Sequence, residues 1–272
     1  MISTTIPIQA RPIPLAPPAS DRGPGGVRRG TSPVIRLAKK CRPALNALLR
    51  RYSLVGDAPV TDPANFPWIA QLQRQLPAIR REMEVILERE ESIPPFRDFA
   101  PGHERIVGAN DWRSFFFYGY GYPVEANLAR CPDTAAAVER IPGLVSAIYS
   151  VVGPHAHIKR HKGVTKAIMT AHIALKVPAD CARCRMEVDD VMVHWAEGEA
   201  VVIDDTYEHE VWNDTDETRV VLLVQFRRPM RWPGRLLGDL VVGFVRNSSF
   251  VQRARKNLDY WETAFARAER GA

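Results

Sequence analysis

The stretch EAVVIDDTYEHEVWNDTDETRVVLLVQF, residues 199–226, reads as three short runs rich in β-branched residues: EAVVID (199–204), HEVW (209–212) and TRVVLLVQF (218–226). Polar turn clusters separate them, above all Asn213-Asp214-Thr215-Asp216, whose short side chains bond their own backbone and favour reversal. The same texture extends upstream through VSAIYSVV (145–152), TKAIMTAHIALKVP (165–178) and VMVHW (191–195), punctuated at Gly153-Pro154, Pro178-Ala179-Asp180 and Glu197-Gly198. Short strands at regular spacing predict a mainly β, jelly-roll-like sandwich or barrel. Helices are expected on either side. In residues 64–92, Trp68, Ile69, Leu72, Leu76, Ile79, Met83, Ile86 and Leu87 recur at three- and four-residue steps, with a break or kink expected at Pro77.

The chain has 272 residues, 46% hydrophobic and 25% charged, an ordinary globular balance for one large domain or two small ones. No apolar run reaches the roughly 18 residues of a membrane span. The first residues lack the charged start and apolar block of a secretory signal. Cys41, Cys131, Cys181 and Cys184 make no disulfide framework, so a reducing, cytoplasmic compartment is expected. Cys181 and Cys184 form a lone C-x-x-C read as turn cysteines, since a structural zinc site needs a second pair. Residues 1–34, with seven prolines, read as a disordered arm. Residues 35–62 begin with a basic amphipathic segment interrupted at Pro43, either a helix on an anionic membrane or one packed on the core. The central domain is expected over 63–230, helical to 144 and β from 145, followed by a basic helical tail, 231–272. The apolar residues 236–245 of that tail are too short to span and form either a packed helix or a surface anchor.

The net charge of +6 is unevenly placed: residues 22–51 carry +9 and residues 227–256 carry +7, which leaves −10 on the remainder. An acidic body with basic flanks does not describe a nucleic-acid face, so no nucleic-acid partner is expected. Peripheral contact with the inner face of a membrane fits the flanks.

Six of the seven histidines lie in the β region, four of them at 155, 157, 161 and 172. Neutral imidazole suits iron, zinc and copper, so a metal site is the reading that the joint pattern favours. His161 is expected in a polar loop just after a strand, and His209 in a loop feeding the strand that starts at Val211. A hairpin could carry His209 and Arg219 to one end of a barrel. Iron(II) oxygenases need such a set, because a buried guanidinium can clamp the far carboxylate of a chelating keto acid. The usual carboxylate ligand would stand two residues after His161, where this chain has Gly163. Either His161 is not a ligand or the site has two histidines, with the third protein position left to water or an anion. A zinc hydrolase is disfavoured, since it generally uses three protein ligands, although Asp205 or His157 could supply one.

On His161-Lys162-Gly163, the run His172-Ile-Ala-Leu-Lys-Val-Pro178, Trp195-Ala-Glu-Gly198, the string Asp204-Asp-Thr-Tyr-Glu-His-Glu-Val-Trp-Asn213 and Arg219, the segment from Ser150 to Pro229 resembles the aspartyl/asparaginyl β-hydroxylase family of iron(II)- and 2-oxoglutarate-dependent oxygenases. Weaker similarity runs upstream through Phe66-Pro67-Trp68, the stretch 115–121 and Ile141-Pro-Gly-Leu144. The resemblance implies a double-stranded β-helix with His161 and His209 as iron ligands and glycine in the carboxylate position. It implies that Arg219 and Ser150 bind the distal carboxylate of 2-oxoglutarate, that His172 contacts the other carboxylate, and that Asp205 orients the site through a water on the metal. Many members carry an arginine two residues before the histidine corresponding to His172; this chain has Thr170, and Lys166, Arg183 or Arg185 are the candidates to compensate.

The reaction implied is hydroxylation of an unactivated carbon, first the β-carbon of an Asp or Asn in a peptide or small molecule. A second reading keeps the chemistry and takes a lipid acyl chain at a membrane surface, as a lipid A-hydroxylating branch does. That branch usually has aspartate where Gly163 stands and an N-terminal membrane segment. A third reading is a β-barrel binding module without turnover, for which Thr170 is the main support. Oligomeric state is not legible.

Overall fold

The computed structural model describes residues 33–98 and 112–270; the arm expected over 1–34 falls almost wholly outside them, as does His103. Its strands are β1 (Val60–Thr61), β2 (Trp112–Gly119), β3 (Tyr122–Pro123), β4 (Leu144–Val152), β5 (Ala156–His161), β6 (Ile168–Lys176), β7 (Cys184–Val188), β8 (Val191–His194), β9 (Ala200–Ile203), β10 (His209–Asn213) and β11 (Arg219–Arg227). They pair as a seven-stranded sheet ordered β1-β9-β6-β11-β4-β2-β3 and a four-stranded sheet ordered β5-β10-β7-β8, with antiparallel pairing throughout. This is the double-stranded β-helix that the sequence led us to expect.

Period-2 alternation assigns the faces. On β11, Val220, Leu222, Val224 and Phe226 point outward into a core shared with Ile79 and Met83, whereas Val221 and, less deeply, Leu223 point inward with Val188, Val211 and Trp195. Because β4, β6 and β11 are covered on both faces, they read as nearly continuous apolar runs. The outer face is covered by α2 (Pro67–Gln73), α3 (Leu76–Leu87) and α5 (Pro132–Glu139), which follows the short α4 (Glu125–Arg130). Helix α1 (Pro33–Arg51) and α6 (Gly234–Arg246) build a third cluster, in which Leu49 and Val242 meet Val145 and Ile168 at the N-terminal ends of β4 and β6. Helix α7 (Ser249–Arg270) closes the chain, with Phe265 edge-on to Phe115. Among the described residues no helix is long and apolar enough to cross a membrane.

Several local expectations differ from the structure. Helix α1 runs through Pro43 without interruption, because an internal proline removes one backbone donor while the rest of the ladder persists. The break near Pro77 does occur: α2 ends at Gln73, and Pro77 sits in the first turn of α3, where a missing N–H has no partner to lose. The stretch expected to be helical, 63–144, contains β2 and β3, and β2 is hydrogen-bonded along β4. Its aromatic run alternates as a strand does, Trp112 inward and Phe115 and Phe117 outward. The turn after Pro178 yields to β7, on which Cys184 is buried while Cys181 is exposed. Finally, β10 and β11 form no hairpin. They lie in opposite sheets, and the 213–218 turn crosses between them.

Candidate active site

His161 and His209 face each other across the β5–β10 ladder as register partners, with ring centroids 4.1 Å apart and planes inclined at 55°. His161 is the last residue of β5, and His209 the first of β10, rather than loop residues on either side. A bulge brings them together. Between His209 and Val211 on one strand lies one residue, but between their partners His161 and Ile158 lie two. Ala156 and Ile158 point inward, so strict alternation would have sent Arg160 inward and His161 out. The extra residue reverses that. Arg160 instead pairs outside with Glu187 at 2.6 Å and Glu210 at 3.1 Å.

Each ring is oriented by its own backbone. His161 Nδ1 donates to the Lys159 carbonyl at 2.8 Å and His209 Nδ1 to the Tyr207 carbonyl at 3.0 Å. A carbonyl can only accept, so both protons sit on Nδ1 and both ring lone pairs on Nε2, the tautomer a metal-binding imidazole requires. The turn before His209 is held by Asp204, fully buried, which accepts from Lys166 Nζ at 2.7 Å, Thr206 Oγ1 at 2.6 Å and the Arg228 guanidinium.

Asp205 fills the place of a side chain at position 163. A Cβ on Gly163 would lie 2.0 Å from Asp205 Oδ1 and 2.4 Å from its Cγ. The Gly163 N–H also donates to the Asp205 carbonyl at 2.6 Å. Asp205 Oδ2 accepts from Thr170 Oγ1 at 3.1 Å and Gln225 Nε2 at 3.4 Å, while buried Oδ1 has no partner. Burial pushes the Asp205 carboxyl above its ordinary range, with His209 opposing.

Farther inside, β6 and β11 supply His172 and Arg219. Arg219 is 1% exposed, lies 4.4 Å over the Trp195 ring, and leaves Nε and Nη1 without partners. Burial lowers its pKa to about 10. His172 stacks on the other part of this wall, its ring nearly parallel to Trp195 at 6.0 Å, and its Nδ1 is also unpartnered. Burial first, then the charges of Arg219 and His209, hold His172 well below its usual pKa, so it is a neutral group within the field of both. Ser150 is buried on β4 and accepts from Trp112 Nε1 at 3.0 Å. Buried polar atoms normally find partners. Here Asp205 Oδ1, His172 Nδ1, Trp195 Nε1 and two nitrogens of Arg219 do not, and all belong to this one interior.

The other described histidines lie apart from this interior. His157 bonds Glu210 at 2.7 Å, His155 bonds Asp216 at 2.8 Å, and His194 lies on β8 near the Cys181 carbonyl at 3.3 Å. His157 is therefore no third ligand, and among the described residues no group of three or more His, Cys, Asp or Glu is placed to hold an ion. The cations expected to replace the missing arginine at 170 are spent elsewhere: Lys166 on Asp57 and Asp204, Arg185 on Asp214 at 2.7 Å, while Arg183 is exposed. Thr170 serves Asp205 instead. Gln225 and Trp112 were missed from sequence, although Gln225 shares Arg219's inward parity on β11.

The family model of aspartyl/asparaginyl beta-hydroxylase matches residues 73–229. An ornithine lipid ester-linked acyl 2-hydroxylase of Rhizobium tropici is 38% identical over 215 residues, 79% of this chain and 76% of that protein. The human aspartyl/asparaginyl beta-hydroxylase is 25% identical over 170 residues, 61% of this chain but 22% of its own length. Among solved structures, a Pseudomonas putida prolyl-4-hydroxylase is 20% identical with a TM-score of 0.37, covering 57% of this chain and 88% of that one; the fold assignment rests on the strand pairing above. With the matched segment spanning the bulged histidine pair, the Asp205 cradle and the buried arginine, the chain belongs to the aspartyl/asparaginyl β-hydroxylase family.

Proposed function

We propose that this protein is an iron(II)- and 2-oxoglutarate-dependent hydroxylase whose substrate is the acyl chain of a membrane lipid. One observation carries the chemistry: two imidazoles 4.1 Å apart, both protonated on Nδ1, share the barrel interior with a buried arginine that has two unpartnered nitrogens. The donor set fits the implied group. His161 and His209 would hold the metal through Nε2. Arg219 would take the far carboxylate of 2-oxoglutarate through a charge-assisted pair, the arrangement that offsets a buried cation best. Ser150 would add a hydroxyl, and neutral His172 a hydrogen bond to the nearer carboxylate. Asp205, fixed by Thr170 and Gln225, turns a carboxylate oxygen toward the same space. When bound, iron(II) and 2-oxoglutarate supply the oxidising power for C–H hydroxylation, and the protein supplies orientation and a dry wall of Trp195, Trp112 and Val211.

The lipid substrate is supported by the name of the Rhizobium relative and by the identity over most of both chains. The β-carbon of an Asp or Asn side chain, the first reading from sequence, keeps the support of the family description and the human relative, over a shorter and less similar stretch. Mass spectrometry separates them. Purified protein is incubated with iron(II), 2-oxoglutarate and either lipid extracts or Asp/Asn peptides. Addition of one oxygen to a lipid acyl chain, dependent on 2-oxoglutarate, is the expected result; oxygen gain in peptides alone moves the substrate to Asp/Asn. Succinate formation independent of His209 refutes the hydroxylase itself.

A further inference from the structure

Helix α6 is apolar around most of its circumference, yet only one side is packed. Gly234, Gly238 and Val242 are buried. On the other side Leu236, Leu240 and Phe244 recur every four residues within an arc of about 80° at 100° per residue, and Trp232 precedes them in the entering turn. Leu54 joins this face through its N–H to the Pro229 carbonyl (2.9 Å), and Leu48 lies on neighbouring α1. These six side chains are 40–78% exposed. Contiguous exposed apolar surface of this kind marks an interaction site.

The charge around it says what covers it. Helix α1 carries Arg36, Lys39, Lys40, Arg42, Arg50 and Arg51 and no acid; α6 adds Arg235 and Arg246, and its Asp239 is taken by Arg227. Helices α1 and α6 together hold eight basic residues against Asp239, a net +7. A second copy would meet it through the same basic patch, since a two-fold contact is self-facing. The chain's own residues 1–32 bring Arg11, Arg22, Arg28 and Arg29 against only Asp21. Both occupants are repelled; an anionic bilayer is attracted. The face also borders the active site. Arg42 donates to the Gly163 carbonyl at 2.5 Å, and Asn46 accepts from the Lys166 N–H at 3.1 Å, so α1 rests on the loop that follows His161.

We infer that α1 and α6 form a docking platform for an anionic lipid surface, with Trp232, Leu236, Leu240 and Phe244 entering the interface and the arginines on its headgroups. The platform sets the loop at 163–166 against the membrane, and docking needs neither metal nor co-substrate. It therefore stands or falls separately from the proposed hydroxylation.

The test is sedimentation of the full chain with phosphatidylcholine vesicles, with and without phosphatidylglycerol, at low and high salt. The expected result is pelleting with phosphatidylglycerol that weakens in salt, and a blue shift of tryptophan emission that Trp232→Phe diminishes. Leu240→Ser/Phe244→Ser should bind about tenfold or more weakly, with its melting temperature and its solution succinate formation kept. Wild type that stays in the supernatant with phosphatidylglycerol overturns the proposal. So does a double variant that pellets like wild type, or a wild-type dimer that the double substitution dissociates.

Discussion

Replacing Gly163 with alanine tests how the site is built. The added Cβ would lie 2.0 Å from Asp205 Oδ1, 2.4 Å from Cγ and 2.8 Å from Oδ2, whereas ordinary contact begins at 3.4 Å, so the oxygen must withdraw by about 1.4 Å. It has little room to do so. Asp205 is buried, Thr170 and Gln225 hold its Oδ2, and the Gly163 N–H to Asp205 carbonyl bond ties the two backbones at 2.6 Å. Overpacking of this kind costs about 1–3 kcal/mol, and disturbing hydrogen bonds to a carboxylate adds roughly 1.5–3 kcal/mol. At about 2–4 °C per kcal/mol for a domain of this size, the melting temperature should fall by roughly 10 °C. Gly163→Ala/Asp205→Gly, which empties the contested space, should be more stable than Gly163→Ala alone, with a coupling energy of about 1–3 kcal/mol. The assay is thermal and urea unfolding of the four proteins of the cycle without added metal. A Gly163→Ala melting temperature equal to wild type, or strictly additive effects, would refute the idea that Asp205 is what reserves position 163 for glycine.

Arg219→Met should leave the protein without co-substrate as stable as wild type or more so, because it removes a buried cation with two unpartnered nitrogens. It should also weaken 2-oxoglutarate binding by about a hundredfold, the loss of a charge-assisted pair; calorimetry with unchanged affinity would contradict this. His172 is held neutral when folded but protonates below about pH 6.5 when unfolded. The unfolded chain then binds the extra proton, so stability falls on acidification by about 1.4 kcal/mol per pH unit. His172→Asn should lose that part of the slope between pH 6.5 and roughly 5, and superimposable slopes in urea unfolding would refute it. Asp204→Ala leaves buried Arg228 without its carboxylate and Lys166 with Asp57 alone, and should cost about 3–5 kcal/mol. It should also weaken metal binding by loosening the turn that carries His209; unchanged stability would show that the buried ion pairs do not anchor it.

The strands with β-branched inner runs were legible because they are buried on both faces, as β4, β6 and β11 are. On the small sheet β8 and β10 were legible as VMVHW and HEVW, but β5 and β7 were harder. Ala156–His161 has Lys159 and Arg160 in it, and its bulge breaks the alternation that pattern reading depends on. Cys184–Val188 hid behind a turn cluster and a C-x-x-C. The aromatic strand Trp112–Gly119 is separated from β4 by two helices, and its pairing to β4 is a long-range contact that no local signal carries. In the site, residue types pointed to His161, His209 and Arg219, and family likeness added Ser150, His172 and Asp205. What sequence withheld was the way they converge. The hairpin imagined between His209 and Arg219 is a crossing between sheets, so the two residues come from opposite walls of the barrel. Likewise the role of Thr170 emerged only once its hydroxyl was found on Asp205.

The measurement closest to the central claim is anaerobic cobalt(II) binding, followed by visible absorption, in wild type, His161→Ala and His209→Ala. A single ion per chain, with its spectrum lost in both variants while their melting temperatures hold, is what convergence of the two imidazoles predicts. Stoichiometric binding that survives either substitution with an unaltered spectrum would contradict it.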